Sequence, residues 1–431
     1  MSKERRIIQV EERVPLAQGI PLSIQHTFAM FSASVLVPWL FGMSASIVLL
    51  MNGIGTLLFI LITKGKAPAY LGSSFAFLSP TFILLENPDY GYQYALGGFI
   101  VTGFIFCIVA LIIKFVGTKW IDAILPPAAM GPIVALIGLE LAGSAALNGG
   151  LILSDTYTKI NPKFIAVFLV TIIVAVMGQV IFRGFASALA ILIAIITGYV
   201  LSMVLGLVDF APVAQSEIFA FPDFMLPKFN LEAILIVIPA TLVIISEHIG
   251  HQVVTSEIVG RDLLKDPGLH RSIFADGFST MLSGFCGSVP TTTYGENIGV
   301  MAVTKVYSVW VIGGAAVFSI ILAFFAPASA LISTIPGPVM GGISFLLYGM
   351  IAASGLRLIV DKKANYGKAR NLAMTALIFV TGLSGAFVQI GNVQLTGMSL
   401  SAIVGMLLGL TFYIVDKLGI ANDKDEPDMI E

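Results

Sequence analysis

The sequence predicts an all-α polytopic membrane protein, and three observations lead there. Of its 431 residues, 57% are hydrophobic and only 11% are charged, against about 45–50% and about 25% in soluble domains. Mean hydropathy is +0.96, and the apolar residues fall into long runs of roughly 20, the length that crosses a bilayer as a helix. When alternate runs are threaded through a membrane, all but three of the 23 Lys and Arg fall on one side. The exceptions are Lys159, Lys163 and Lys228. Such a bias sets topology. It puts both tails on the cytoplasmic side and predicts a multi-pass protein of the cell (cytoplasmic) membrane.

The same features exclude several classes. Net charge is -2 with no basic stripe, so nucleic acid is not an expected partner. Cys107 and Cys286 both lie in apolar segments without metal or redox spacing, as small buried hydrophobes do. The first nineteen residues are polar and charged, and the first apolar run is long enough to stay in the membrane. No cleavable signal peptide is therefore expected. No G-x-x-x-x-G-K-S/T motif is present, which argues against an ATP-driven pump.

Fourteen segments are read, at 20–39, 43–63, 73–86, 94–115, 121–143, 162–181, 186–207, 231–252, 272–288, 292–305, 307–326, 334–355, 371–390 and 396–416. Residues 144–161 and 208–230 become external loops, and both charged tails are expected to fray. Two segments are too short for a simple span. The third has a polar start, Gly72-Ser73-Ser74, and Pro80, which breaks a helix. The tenth opens on Thr291-Thr292-Thr293, whose β-branched side chains favour extended backbone, and carries Gly295 and Gly299. They occupy matching places if the chain is two halves of seven. Short, interrupted segments at matching places mark a transporter's binding site.

Ionisable residues inside such segments cost about 2.5–3.5 kcal/mol on insertion scales and persist where function or a partner compensates. Glu247 and His251 are four apart on the eighth segment, so they share a helix face. A Glu–His pair in a low-dielectric cavity suits a proton relay. Glu296 follows Gly295 where a short helix would start, close to free N–H groups and the positive dipole end. It can bind a ligand, cap that helix, or do both. His26, beside Gln25 on the first segment, either lines a cavity or bridges helices. Phe75 and Phe77 can stack on a planar ligand or simply pack. Glu140 reads as snorkelling or packing. No metal site is expected, because the H-x-x-H at His248 and His251 has no third ligand, and no cofactor is implied. Two carboxyls beside extended backbone suit a small, flat, amide-like molecule with alternating donors and acceptors. An intramembrane enzyme would need a nucleophile–base or metal constellation that is not evident. A channel would need a continuous pore.

In its motifs the chain resembles the nucleobase–ascorbate transporters, most closely the bacterial uracil permeases. The family pattern is Gln, Glu or Pro, then Asn-x-Gly, four free positions, Thr, and Arg, Lys or Gly. Here it reads Glu296-Asn297-Ile298-Gly299 through Thr304-Lys305. Gln25-His26, Pro68 through Phe77, and Ser246-Glu247-His248-Ile249-Gly250-His251 match as well, and the resemblance runs over roughly residues 15–417. It implies fourteen segments in two inverted seven-segment repeats, with short paired β-strands in segments three and ten. A core domain would comprise 20–115 and 231–326, and a gate domain 116–210 and 327–416. The remainder would be tails 1–19 and 417–431 and an external loop 211–230. It further implies a proton-coupled uracil importer, often a homodimer, with xanthine or another purine as the alternative substrate. Glu247, Glu296 and backbone groups of Phe75 and Gly295 would bind uracil, with Tyr294, Ser74 and His26 lining the pocket. His251 would hold Glu247, the proton site.

Overall fold

The computed structural model describes residues 7–153, 158–183, 185–390 and 393–422. The outermost parts of both tails, and part of the loop expected at 144–161, lie outside the described residues. The first half runs α1 (Leu16–Leu40), α2 (Ala45–Ile62), β1 (Leu71–Ser73), α3 (Leu78–Glu86), α4 (Tyr92–Val116), α5 (Pro127–Asn148), α6 (Pro162–Ile181) and α7 (Ala190–Val204). The second runs α8 (Leu231–Val259), α9 (Leu269–Cys286), β2 (Thr291–Thr293), α10 (Gly295–Thr304), α11 (Val309–Phe324), α12 (Gly337–Asp361), α13 (Ala369–Leu383) and α14 (Gly397–Leu418). Among the described residues, 8 helices are long and apolar enough to cross a membrane by length and composition. Phe75–Glu86, α7, α11 and α13 are shorter apolar helices.

The helices pack in two groups. α2, α4, α9 and α11 interleave, with α1 against α11 and the start of α8 against α4. α5 packs along α12, α6 along α7, and α13 along α14. Small residues permit the close approaches: a Cβ on Gly138 would stand 1.9 Å from Tyr348 O. The β1–β2 ladder lies within the first group, against α1, α2, α8 and α9, and pairs antiparallel with Leu71 opposite Thr293, Gly72 opposite Thr292 and Ser73 opposite Thr291.

Three expectations need correction. Pro80 does not break its helix; it occupies the first turn of α3, where the missing N–H has no intrahelical partner to lose. The interruption falls earlier, at Ser74. The thirteenth segment does not run to 390. α13 stops at Leu383, followed by Gly385 at φ 73°, and Val388–Ile390 pairs antiparallel with Val393–Leu395. Nor does the described part of the N-terminal tail fray. Ile8 N–H donates to Lys305 O (3.0 Å), Tyr307 N–H to Ile8 O (2.9 Å) and Val309 N–H to Val10 O (2.9 Å). Val10 is fully buried, Glu11 pairs with Arg261 at 2.6 Å, and the Arg13 guanidinium lies 4.3 Å from the Trp310 ring centre. One buried valine and three backbone hydrogen bonds suffice to hold a charged tail on the loop between α10 and α11.

Candidate functional site

The site is built on the strand crossing. Threonine-rich β2 adopts extended backbone as its β-branched residues prefer, and the ladder continues one bond past each end. Ser74 N–H donates to Pro290 O (2.9 Å) and Tyr294 N–H to Tyr70 O (3.0 Å). Each strand is also held by a threonine from a neighbouring helix. Thr56 of α2 accepts from Leu71 N–H (2.9 Å), and Thr280 of α9 accepts from Thr291 N–H (3.2 Å). After Ser74 the chain enters a helical turn at Phe75–Phe77, and after Tyr294 it enters α10. Helix starts leave N–H groups without intrahelical partners, so Phe75 and Gly295 open backbone donors at the two ends of the crossing.

Glu296 lies in the first turn of α10 and is half-buried, while Gly295 before it is exposed. A Cβ on Gly295 would stand 3.4 Å from His251 Nε2. Glu247, one turn before His251 on α8, is half-buried, and the Asp276 and Glu296 carboxyls both lie within Coulombic reach of it. Glu247, His251, Gly295 and Glu296 therefore come together. His251 is oriented by β2: its Nδ1 is 3.0 Å from Thr293 Oγ1. The shared helix face brings Glu247 and His251 together, but the ring's hydrogen bond is with the strand.

The other residues singled out divide. Tyr294 is 4% exposed, its hydroxyl donates to Ser73 O (3.0 Å), and its ring covers Gly72. It is the floor under the ladder. Ser74 is buried at the bend, its Oγ without a partner among the described residues. Phe75 is half-buried at the crossing, whereas Phe77 is buried edge-on against Phe99 with ring centres 5.4 Å apart. His26 is buried, and Asn297 Nδ2 bonds both its Nδ1 (3.1 Å) and its backbone O (3.0 Å). The Asn amide donates, so His26 Nδ1 accepts and the ring is the neutral Nε2–H tautomer. His26 thus ties α1 to α10, the bridging alternative. Glu140 accepts from Met398 N–H (3.0 Å) in the first turn of α14; it caps that helix start, where a carboxylate is favoured.

One buried pair escaped sequence reasoning. His248 Nδ1 lies 2.8 Å from Asp276 Oδ2, and both side chains are essentially inaccessible. The available signal was Asp276 itself, a lone carboxylate in an apolar segment. The pair joins α8 to α9 directly behind Glu247. Among the described residues no cluster of three metal-ligating side chains occurs.

Apolar helices of membrane length around a ladder of two interrupted segments, with carboxyls gathered at the crossing, define a polytopic membrane transporter. The family model Xan_ur_permease, described as "Permease family", matches residues 17–391, and the chain belongs to that family, the nucleobase–ascorbate transporters. It is 55% identical to the "Uracil permease" of Escherichia coli (strain K12) over 96% of both chains. It is 53% identical to the "Uracil permease" of Paenibacillus larvae, over 97% of this chain and 99% of that one. For the Bacillus subtilis "Uracil permease" the identity is 45%, over 95% and 96%. Among solved structures it is similar to the transmembrane domain of the cyanobacterium bicarbonate transporter BicA, with TM-score 0.60 and 14% identity over 94% of this chain and 99% of that one. It is also similar to the murine anion transporter Slc26a9 in the inward-facing state, with TM-score 0.71 and 11% identity over 94% and 69%. At such identities the likeness concerns the fold alone.

Proposed function

We propose that this protein imports uracil together with a proton across the cytoplasmic membrane, by alternating access. Uracil is supported by the full-length relatives named uracil permease. The observation that carries the site is the convergence of the Glu247 and Glu296 carboxyls on one strand crossing. Uracil alternates N–H and C=O around a flat ring. Two carboxyls accept its N–H groups, and backbone N–H groups at Phe75 and Gly295 meet its carbonyls. Glu247 has the Asp276 and Glu296 carboxyls within Coulombic reach. Glu247 is the proton carrier in this reading, with His251 held alongside by Thr293.

The fold is fourteen segments in two inverted repeats. Support comes from the packing: α4 against α9 mirrors α11 against α2, and α1 against α11 mirrors α8 against α4. The paired threonines Thr56 and Thr280 follow the same exchange. Core (20–115, 231–326) and gate (116–210, 327–416) follow the two packing groups, both termini lie inside, and the gate forms the homodimer contact.

Uptake of labelled uracil into proteoliposomes tests this. Accumulation collapses with an uncoupler, and excess unlabelled uracil competes where xanthine does not. Glu296→Ala raises the Kd for uracil by at least about tenfold, the loss of a charge-assisted hydrogen bond of about 1.5–3 kcal/mol. Glu247→Gln retains counterflow of labelled for unlabelled uracil but loses the pH dependence of binding. Uncoupler-resistant accumulation would sink the symport claim, and unchanged affinity in Glu296→Ala would sink the binding site.

A further inference from the structure

Residues 216–230 connect α7 to α8 in largely extended form, on the side opposite the basic loops. Their backbone is pinned to the ends of three helices. Ala220 N–H donates to Phe324 O of α11 (3.1 Å), and Lys228 N–H donates to Gln93 O of α4 (2.9 Å). At the end of α9, a Cβ on Gly287 would stand 2.4 Å from Met225 N, and on α4 a Cβ on Gly97 would stand 2.2 Å from Lys228 O. The segment is therefore seated on the helix rim. Yet it turns Ile218, Phe221, Phe224, Leu226 and Phe229 outward, each at least 59% exposed. Glu217, Asp223 and Lys228 are the charged residues among them.

Two constraints fix the depth of such a strip. Five large apolar side chains on one short, rigidly seated segment exceed the scattered hydrophobics of a wet surface. The hydrocarbon interior is closed to it as well. Among the described residues the N–H groups of Phe224, Met225 and Leu226 find no protein acceptor, and unpaired backbone does not face lipid tails. The headgroup boundary satisfies both conditions: water and headgroups serve the backbone, and acyl chains receive the side chains. The Lys228 ammonium, 5.7 Å from the Tyr94 ring centre, adds the cation and aromatic that populate this layer.

We infer that residues 216–230 form an interfacial collar, whose partner is the lipid surface of the leaflet opposite the basic loops. Single nitroxide labels test it in proteoliposomes of phosphatidylethanolamine and phosphatidylglycerol, in a Cys107→Ala/Cys286→Ala background. At Phe221→Cys, Phe224→Cys and Leu226→Cys, collisions with oxygen exceed those with a water-soluble nickel chelate severalfold. At Glu217→Cys the order reverses. Chelate-dominated collisions at all four sites overturn the collar, because the strip is then wet. Shielding of the three apolar sites from both reagents overturns it too, because a protein surface then covers them. A second measurement needs no cysteine removal. The fluorescence added by Phe221→Trp falls severalfold when brominated lipids replace ordinary ones, and undiminished fluorescence refutes the assignment.

Discussion

Gly72→Ala is the sharpest probe of how the ladder positions the site. A Cβ at this position would stand 2.2, 2.4 and 2.7 Å from Cζ, Cε2 and Cε1 of Tyr294. Carbon atoms rest at about 3.5–4.0 Å, so the ring must retreat by more than about 1 Å. Tyr294 has little room to do so: it is 4% exposed, and its hydroxyl and N–H are bonded to Ser73 O and Tyr70 O. Overpacking of a tight core costs about 1–3 kcal/mol, and losing the Ser73 bond adds about 1 kcal/mol. Tyr294 directly precedes Gly295 and Glu296. The displacement therefore reaches the binding groups, where a 1 Å error can cost about a hundredfold. The expectation is a Kd for uracil raised about ten- to a hundredfold, with a lowered unfolding temperature, read by calorimetric titration and thermal melting in detergent. Gly72→Ala/Tyr294→Leu, which makes room, recovers part of the lost stability; the double-mutant cycle is non-additive. A Gly72→Ala protein that melts with wild type and binds within roughly twofold of it would refute the ladder as positioning element, since the effect sought is a tenfold one.

Three further outcomes are expected. Asp276→Ala leaves the buried His248 Nδ1 without its hydrogen-bond partner and lowers stability by about 1–3 kcal/mol, seen in chemical or thermal unfolding; a neutral result would show that water replaces the carboxylate. Glu140→Ala removes the acceptor for Met398 N–H and costs about 0.5–2 kcal/mol, as for a lost helix cap, while leaving the KM for uracil unchanged; a changed KM would place Glu140 in the site. The N-terminal tail responds to acid. Arg261 beside Glu11 holds that carboxyl below its ordinary value, so the pair's small contribution is complete above the unfolded value and is lost as pH falls from about 5 downward. Exchange protection of the Ile8 amide, corrected for intrinsic rate, falls over that range, and constant protection would refute the linkage.

Much of the site was legible because membrane burial makes polar residues conspicuous. Glu247, His251, Gly295 and Glu296 stand out against apolar neighbours, and the structure gathers them. The interruptions near Ser73 and Thr291–Thr293 follow from residues that prefer turns or extended backbone. What was not legible was partner choice. His26 offers a ring that could line a cavity or bridge helices, and only the approach of Asn297, 271 residues away, decides for the bridge. Asp276 was visible as a lone carboxylate, but its pairing with His248 depends on how α8 lies against α9. The hairpin after α13 did carry a signal, since Val388 to Leu395 alternates apolar and polar residues around Gly391-Asn392, but the first strand directly follows a long apolar run that reads as one helix.

Membrane residence and the long apolar helices were settled by the chain alone. Each depends on a local quantity, run length or charge, compared with a bilayer of fixed thickness. The ladder, the closure of Tyr294 over Gly72, the His248–Asp276 pair and the seating of the tail on the α10–α11 loop needed the tertiary structure. Ser73 and Tyr294 are 221 residues apart, and nothing in either neighbourhood names the other. Their meeting is fixed by the summed packing of helices that small residues allow to approach, a property of the assembled fold.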